Sequence, residues 1–182
     1  PYTPLLFMGQ EWAASAPFQF FTDYGEELGR LTTAGRREEF KGFSLFRDPA
    51  AREQIPDPQE KATFLRSKLD WAELDRDGHA ATLRLYTELL RLRRTTPTLQ
   101  KRAREDWEVS QVAEGILQIT FGVRSPERCA VLVDFTGGHE DPLRDDARWE
   151  LLLSTNEARF GGTGSAPFAQ PEARVLRMAA GD

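Results

Sequence analysis

The hydrophobic pattern of the chain changes its period between Leu99 and Asp106, and this change constrains the fold more than any other feature. Before it, residues 79–99 place apolar side chains at the spacing of an amphipathic helix that ends before Pro97. After it, apolar and polar side chains alternate, as in half-buried strands. The sequence therefore predicts a first part that is largely helical and a second part that is rich in β-strands.

Turn signals divide the second part into short predicted strands. Alternation is clearest in residues 115–123 (GILQITFGV) and 129–135 (CAVLVDF), and further strands are predicted at WEVSQV, RWELLLS and ARVLRM. Several short strands joined by turns predict an antiparallel β-sandwich. Cys129, the single cysteine, lies in one of these strands and is expected to be a buried apolar residue, not a nucleophile.

The first part begins with an apolar run at residues 5–8, followed by Gly9 and a polar and aromatic group. A fully apolar strand needs cover on both faces, which is typical of a parallel sheet flanked by helices. Two further helices are expected, at about residues 34–43 and 58–68. The second has a start signal, because Asp57 can cap it and Glu60 completes a capping box.

Composition excludes several classes of function. The formal net charge of -5 and the pI near 5.2 argue against a nucleic-acid or an anionic membrane surface as partner. No apolar stretch approaches the ~20 residues that span a bilayer, and the start lacks the features of a signal peptide, so a cytoplasmic protein is expected. With one cysteine and two distant histidines, no metal site is expected.

The order of the motifs resembles the α-amylase family of glycoside hydrolases. FMGQEW, PFQFFTD, GRREEF, PDPQ and SKLDW occur in this order within residues 1–100, and LLLSTNEARFGG resembles the C-terminal domains of the family more weakly. The resemblance implies an α/β plus all-β chain. Residues 1–104 would be the end of a (β/α)8 TIM barrel, with strand 8, a long loop and helix 8. Residues 105–182 would be an antiparallel C-terminal β-sandwich.

The resemblance also implies an activity. Within the family, the chain is most similar to enzymes that cleave the α-1,4-glucosidic bond next to the terminal trehalose of maltooligosyltrehalose and release trehalose, with no cofactor. The family places its catalytic carboxylates on earlier strands, so no catalytic residue is assigned to this sequence. The expected partners are this α-glucan substrate and the N-terminal part of the same polypeptide, which would cover the apolar run; neither nucleic acid nor a membrane is expected.

Residues 10–24 are the expected place of substrate contact. Sugars combine apolar C–H faces with hydroxyl groups, so their sites combine aromatic rings with carboxylates and amides. The predicted substrate-binding residues are Gln10, Glu11, Trp12, Phe20, Phe21, Asp23 and Tyr24. By the resemblance, Glu11 supports the site without taking part in the reaction. The aromatic residues have a second interpretation, because rings in a loop over a barrel can simply cover its core.

Two other functions stay open. A glycogen branching or debranching enzyme of the same family would share the layout, but it is not expected to carry FQFFTD, PDPQ and SKLDW together. A noncatalytic carbohydrate-binding β-sandwich would fold alone and bind glucan through aromatic rings such as Trp107, Trp149 and Phe160. The sequence disfavours this module because few of its aromatic residues suit a flat sugar-binding platform.

Overall fold

A computed structural model describes residues 2–100, 103–143, 146–164 and 167–179 of the chain. The chain divides into two compact units, one formed by Pro1–Ala13 with Glu73–Asp182 and the other by Ala14–Ala72. Within the described ranges, no helix is both long and apolar enough to cross a membrane.

The described helices and strands follow one another in the order that the change of period predicts. The α-helices are α1 (Glu26–Glu39), α2 (Pro49–Glu53), α3 (Lys61–Arg66), α4 (Asp77–Thr95) and α5 (Pro97–Gln100). The strands are β1 (Trp107–Ala113), β2 (Ile116–Phe121), β3 (Cys129–Asp134), β4 (Trp149–Ser154) and β5 (Glu172–Met178). Short 3-10 turns span Gln10–Trp12, Phe40–Gly42, Ser44–Phe46, Trp71–Glu73, Arg104–Asp106 and Ala158–Phe160. All five strand segments predicted in the second part are confirmed.

The strands form one antiparallel sheet in the order β1-β2-β3-β5-β4. Strand β5 lies between β3 and β4, so β1 and β4 are the two edges. Both edge strands carry a register shift, between Gln111 and Ala113 and between Leu151 and Leu153. The β-rich second part is therefore confirmed as an antiparallel sheet. Since the described residues contain no second sheet facing it, the sandwich stays a prediction.

Both faces of the sheet are apolar. On one face, Phe121, Cys129 and Val175 pack in a cluster that includes Leu85, Leu89 and Leu92 of α4. On the other face the cluster consists of Ile116, Leu132, Phe168 and Leu176. Cys129 is 1% exposed, and burial raises the pKa of its thiol, as expected of a buried apolar residue.

The helices differ in how well the sequence predicted them. Helix α4 matches the predicted amphipathic helix and ends before Pro97. Helix α1 begins at Glu26, well before the predicted start, with acids in its first turn and arginines in its last turn, the arrangement that the helix dipole favours. The predicted helix at residues 58–68 is shorter, from Lys61 to Arg66, and Asp57 does not cap it.

The apolar run at residues 5–8 forms no strand in the structure. A strand needs a neighbour to bond its backbone groups, and the described strands of this unit pair only with one another. The side chains of the run are exposed, up to 94% for Leu5. Residues 5–8 therefore do not form the expected parallel-type strand in this chain.

Candidate functional site

The polar group after the apolar run forms a tight turn held to helix α4. Gly9 and Ala13 flank the turn with positive φ angles of 84° and 54°. The Oε1 atom of Gln10 accepts a hydrogen bond from the backbone N–H of Phe7 (3.1 Å), and its Nε2 donates to the hydroxyl of Tyr86 (3.0 Å). The oxygen of the Gln10 amide therefore closes the turn on the preceding segment, and its nitrogen holds the turn to α4.

Trp12 lies at the end of this turn and is only 2% exposed. Its carbonyl oxygen lies 2.9 Å from Nδ1 of His79, which must carry the proton because a carbonyl only accepts. Glu11 is half-buried beside it. The burial of Trp12 favours a packing role for its ring, and sugar contact by Glu11 or Trp12 stays a prediction.

The other predicted residues lie in the second unit, in the loop before α1. Phe20 and Phe21 are neighbours, but their side chains line two different cavities. The ring of Phe20 lies 4.9 Å from the guanidinium carbon of Arg36, which is also 5.0 Å from the ring of Phe40. These three groups form one wall of a cavity of about 270 Å³, so Phe20 is held by a cation–π stack and is still 43% exposed.

Phe21 faces a second cavity of about 480 Å³. Its ring packs edge-on against Phe64 at a centroid distance of 5.2 Å. Asp23, Lys61 and Gln59 also line this cavity. An aromatic ring beside a carboxylate and an ammonium group is a combination that can bind a sugar through both its C–H face and its hydroxyls.

Tyr24 completes the predicted set, and its side chain is 47% exposed. Its backbone N–H donates to Oε1 of Gln59 (3.2 Å), and its carbonyl oxygen accepts from Nε2 of the same residue (2.8 Å). Gln59 was not among the predicted site residues. The signal that could have found it is the PDPQ motif, which contributes to the family resemblance.

Asp57 of the same motif connects the loop region to helix α1. Its Oδ1 atom accepts from the hydroxyl of Thr33 (2.7 Å) and from the backbone N–H of Gln59 (2.9 Å). These hydrogen bonds, first that from Thr33 and then that from Gln59, lower the pKa of the Asp57 carboxyl. The predicted capping role is therefore wrong, because the carboxylate bonds the turn before α3 and the helix α1 instead.

The structure brings four predicted residues together in one unit: Phe20, Phe21, Asp23 and Tyr24. Gln10, Glu11 and Trp12 lie in the other unit. Among the described residues, no group of three histidine, cysteine or acidic side chains could hold a metal ion. The arrangement offers binding groups for a sugar and assigns no residue to bond cleavage.

Comparison with solved structures gives the class of protein. The chain matches a Salmonella typhimurium protein assigned as an alpha amylase, with a TM-score of 0.71 and 27% identity over 96% of this chain and 28% of that one. The chain is therefore α-amylase-like, as its motifs imply. No protein-family model matches the sequence.

Comparison with curated proteins narrows this class. The chain is 45% identical to a malto-oligosyltrehalose trehalohydrolase from Deinococcus radiodurans over 89% of its length, and 45% identical to one from Arthrobacter ramosus over 98%. A relative of the same name from Brevibacterium helvolum is 41% identical over 97%. The chain spans 28% of the length of each of these relatives and matches their C-terminal portion. The chain is therefore similar to the C-terminal portion of malto-oligosyltrehalose trehalohydrolases.

Proposed function

We propose that the chain is the C-terminal part of a glycoside hydrolase that cleaves the α-1,4-glucosidic bond next to the terminal trehalose of maltooligosyltrehalose and releases trehalose. The observation that carries this proposal is the 41–45% identity, over most of the chain, to proteins with that name. The catalytic carboxylates would lie in the preceding part of the polypeptide, because the sequence contains none of the family motifs that hold them. Water is the only co-reactant required.

The proposal includes an architecture for the complete polypeptide, by which we mean this chain together with the part that precedes it in its relatives. Residues 1–104 would form the last βα unit of a (β/α)8 barrel, and residues 105–182 a C-terminal β-sandwich domain. The boundary falls in the turn Arg104–Asp106, directly before β1. In this arrangement residues 5–8 would be strand 8 and α4 would be helix 8.

The exposed apolar surface of the first unit supports this architecture. Leu6, Phe7 and Met8 are between 39% and 52% exposed in a segment without strand pairing. A cavity of about 250 Å³ lies beside this segment, with Leu6, Tyr86 and Leu90 in its wall. A pairing strand on one side and a barrel core on the other would cover these side chains and bond the backbone groups.

Within this architecture the loop residues Phe20, Phe21, Asp23 and Tyr24 would contact the glucan, with Gln10, Glu11 and Trp12 at the end of strand 8. Barrel enzymes of this kind build their sites from loops at the carboxyl ends of the strands, where both groups of residues lie in sequence. The exposed rings of Phe20, Phe21 and Tyr24 and the carboxylate of Asp23 suit a sugar.

The noncatalytic module is disfavoured by the burial of its aromatic residues. Trp107 and Phe160 are each 9% exposed, and Trp149 packs against the cluster on the second face of the sheet. These rings are therefore part of the core and give no flat platform for a sugar. A glycogen branching or debranching enzyme receives no support from the relatives found, which share the trehalohydrolase name.

The test is trehalose release by the complete polypeptide. We expect it to release trehalose from maltotriosyltrehalose. It should form no trehalose from maltopentaose, which has no trehalose end. The 182-residue chain alone is the matched control and should release none. Formation of α-1,6 branches, or hydrolysis that never yields trehalose, would reject the proposal in favour of another α-amylase relative.

A further inference from the structure

Gln59 makes an unusual number of hydrogen bonds to one short segment of the loop. Its Oε1 atom accepts from the hydroxyl of Thr22 (2.5 Å) and from the backbone N–H of Tyr24 (3.2 Å). Its Nε2 atom donates to the carbonyl oxygen of Tyr24 (2.8 Å). Both backbone polar groups of Tyr24 are thus bonded to this one side chain, as a paired strand would bond them.

The backbone around Gln59 is held in place as well. Its backbone N–H donates to Oδ1 of Asp57, which also accepts from the Thr33 hydroxyl on α1. Beside it, the carbonyl oxygen of Pro58 accepts from the backbone N–H of Thr22 (2.8 Å). The side chain therefore projects from a fixed base toward the loop, and its amide sets where residues 22–24 lie.

Gly29 provides the space that this arrangement needs. It is buried in the interior of α1, where glycine is intrinsically unfavourable. A Cβ atom at this position would lie 2.7 Å from Cδ of Gln59, so a larger residue would displace the amide. The glycine is explained by the close approach of the Gln59 side chain.

We propose that Gln59 is a positioning residue that holds residues 20–24 in the conformation that binds the glucan. It acts through the loop: its amide fixes the backbone between Phe21, which lines the second cavity, and Tyr24. This inference rests on the proposed function, because it assigns the loop to substrate binding. It goes beyond that function by naming a residue and a mechanism of preorganisation.

The first test is the kinetics of the complete polypeptide on maltotriosyltrehalose. Gln59→Ala should raise KM about tenfold, with kcat within about twofold of wild type, since losing hydrogen bonds of typical net strength loosens the loop without touching the reacting groups. Gln111→Ala is the matched control, because Gln111 is an exposed glutamine on β1. It should leave KM unchanged.

The second test is rescue of Gln59→Glu by protonation. A glutamate carboxylate can still accept from Thr22 and from the Tyr24 N–H, but it cannot donate to the Tyr24 carbonyl oxygen. Protonation restores the donor. The ratio of the variant KM to the wild-type KM, measured at each pH, should therefore fall toward one as the pH is lowered through the pKa of the glutamic acid. A purely structural residue would not produce this pH-dependent ratio.

The third test uses Gly29→Ala. Because the added methyl group displaces the Gln59 amide, it should raise KM by about the same factor as Gln59→Ala. The double variant should show no further increase, which is the non-additivity expected of groups in contact. Multiplying effects would mean that Gly29 and Gln59 act independently and would contradict the proposal.

Hydrogen exchange separates a failure of this inference from a failure of the proposed function. In Gln59→Ala, the Tyr24 amide should exchange at least about tenfold faster, while the amides of β2 and β3 exchange as in wild type. If the wild type releases no trehalose, the proposed function fails and the exchange rates decide whether Gln59 orders the loop. If the wild type is active and Gln59→Ala matches Gln111→Ala in KM and exchange, the inference about Gln59 is overturned.

Discussion

Asp134 at the end of β3 gives the sharpest prediction of stability. Its side chain is fully buried, and Oδ1 accepts from the backbone N–H groups of Thr136 (2.9 Å) and Gly137 (2.8 Å). Oδ2 lies 3.0 Å from Nδ1 of His139. Asp134→Ala would remove the acceptor of both backbone donors. Hydrogen bonds to a charged group contribute about 1.5–3 kcal/mol each, and water can reach the exposed Thr136, so we expect a loss of about 3 kcal/mol.

Asp134→Asn is the matched control, because its amide oxygen can replace Oδ1 as the acceptor of both backbone N–H groups. We expect a loss of only about 1 kcal/mol for this variant. The assay is urea unfolding of the purified chain, followed by circular dichroism. Equal losses for the two substitutions would refute the claim that the Oδ1 hydrogen bonds stabilise this turn.

The same carboxyl group gives a pH dependence. Burial raises the pKa of Asp134, but the hydrogen bonds from Gly137, Thr136 and His139 together outweigh it and leave the pKa below its usual value. Because the pKa of Asp134 is lower in the folded state, the ionised group stabilises the fold fully above its unfolded pKa, near 3.8. This stabilisation is lost as the pH falls through the pKa of the folded state. The stability difference between wild type and Asp134→Ala should therefore shrink below about pH 3.8. A difference that stays constant into this acid range would contradict the assignment.

Three further predictions concern burial. Cys129 should react with a thiol reagent only after unfolding, because burial raises its pKa and shields the sulfur; rapid labelling of the native chain would contradict this. Gly162→Ala should cost about 2 kcal/mol or more in urea unfolding, because the new Cβ would lie 2.5 Å from Cα of Asn156; an unchanged midpoint would show that the loop can move aside. The double variant Leu6→Ser, Phe7→Ser should make the isolated chain associate less with itself, as measured by sedimentation. The same variant should lower the melting temperature of the complete polypeptide by several degrees, because the two side chains would be buried there. An unchanged melting temperature would show that they stay exposed in the complete polypeptide.

Period and burial explain why the second part was predictable. In β3, Cys129 and Val131 belong to one cluster and Leu132 to the other, so alternate residues share a face and the two-residue period can be read from the sequence. The end of α4 at Thr95, before Pro97, was also predictable, because proline stops a helix by a local effect. The order of β4 and β5 in the sheet was not predictable, because it depends on contacts between residues far apart along the chain.

The misses in the first part have a common physical cause. The strand expected at residues 5–8 needs hydrogen-bond partners that the described strands do not provide. Asp57 has the local features of a helix cap, but its carboxylate instead accepts a hydrogen bond from the hydroxyl of Thr33, which is distant in sequence. The PDPQ motif draws attention to Gln59 but does not show its role, because its hydrogen bonds to Thr22 and Tyr24 join residues far apart in sequence. Local patterns therefore predicted the elements that depend on nearby residues, and they failed where an element or a hydrogen bond depends on distant ones.

Amide hydrogen exchange at residues 5–8 tests most directly whether the apolar run is the last strand of a barrel completed by the preceding polypeptide. The measurement compares the 182-residue chain with the complete polypeptide under the same conditions. We predict fast exchange in the chain alone and protection by at least about a thousandfold in the complete polypeptide, as for a strand paired on both sides. Equally fast exchange in both would contradict the account.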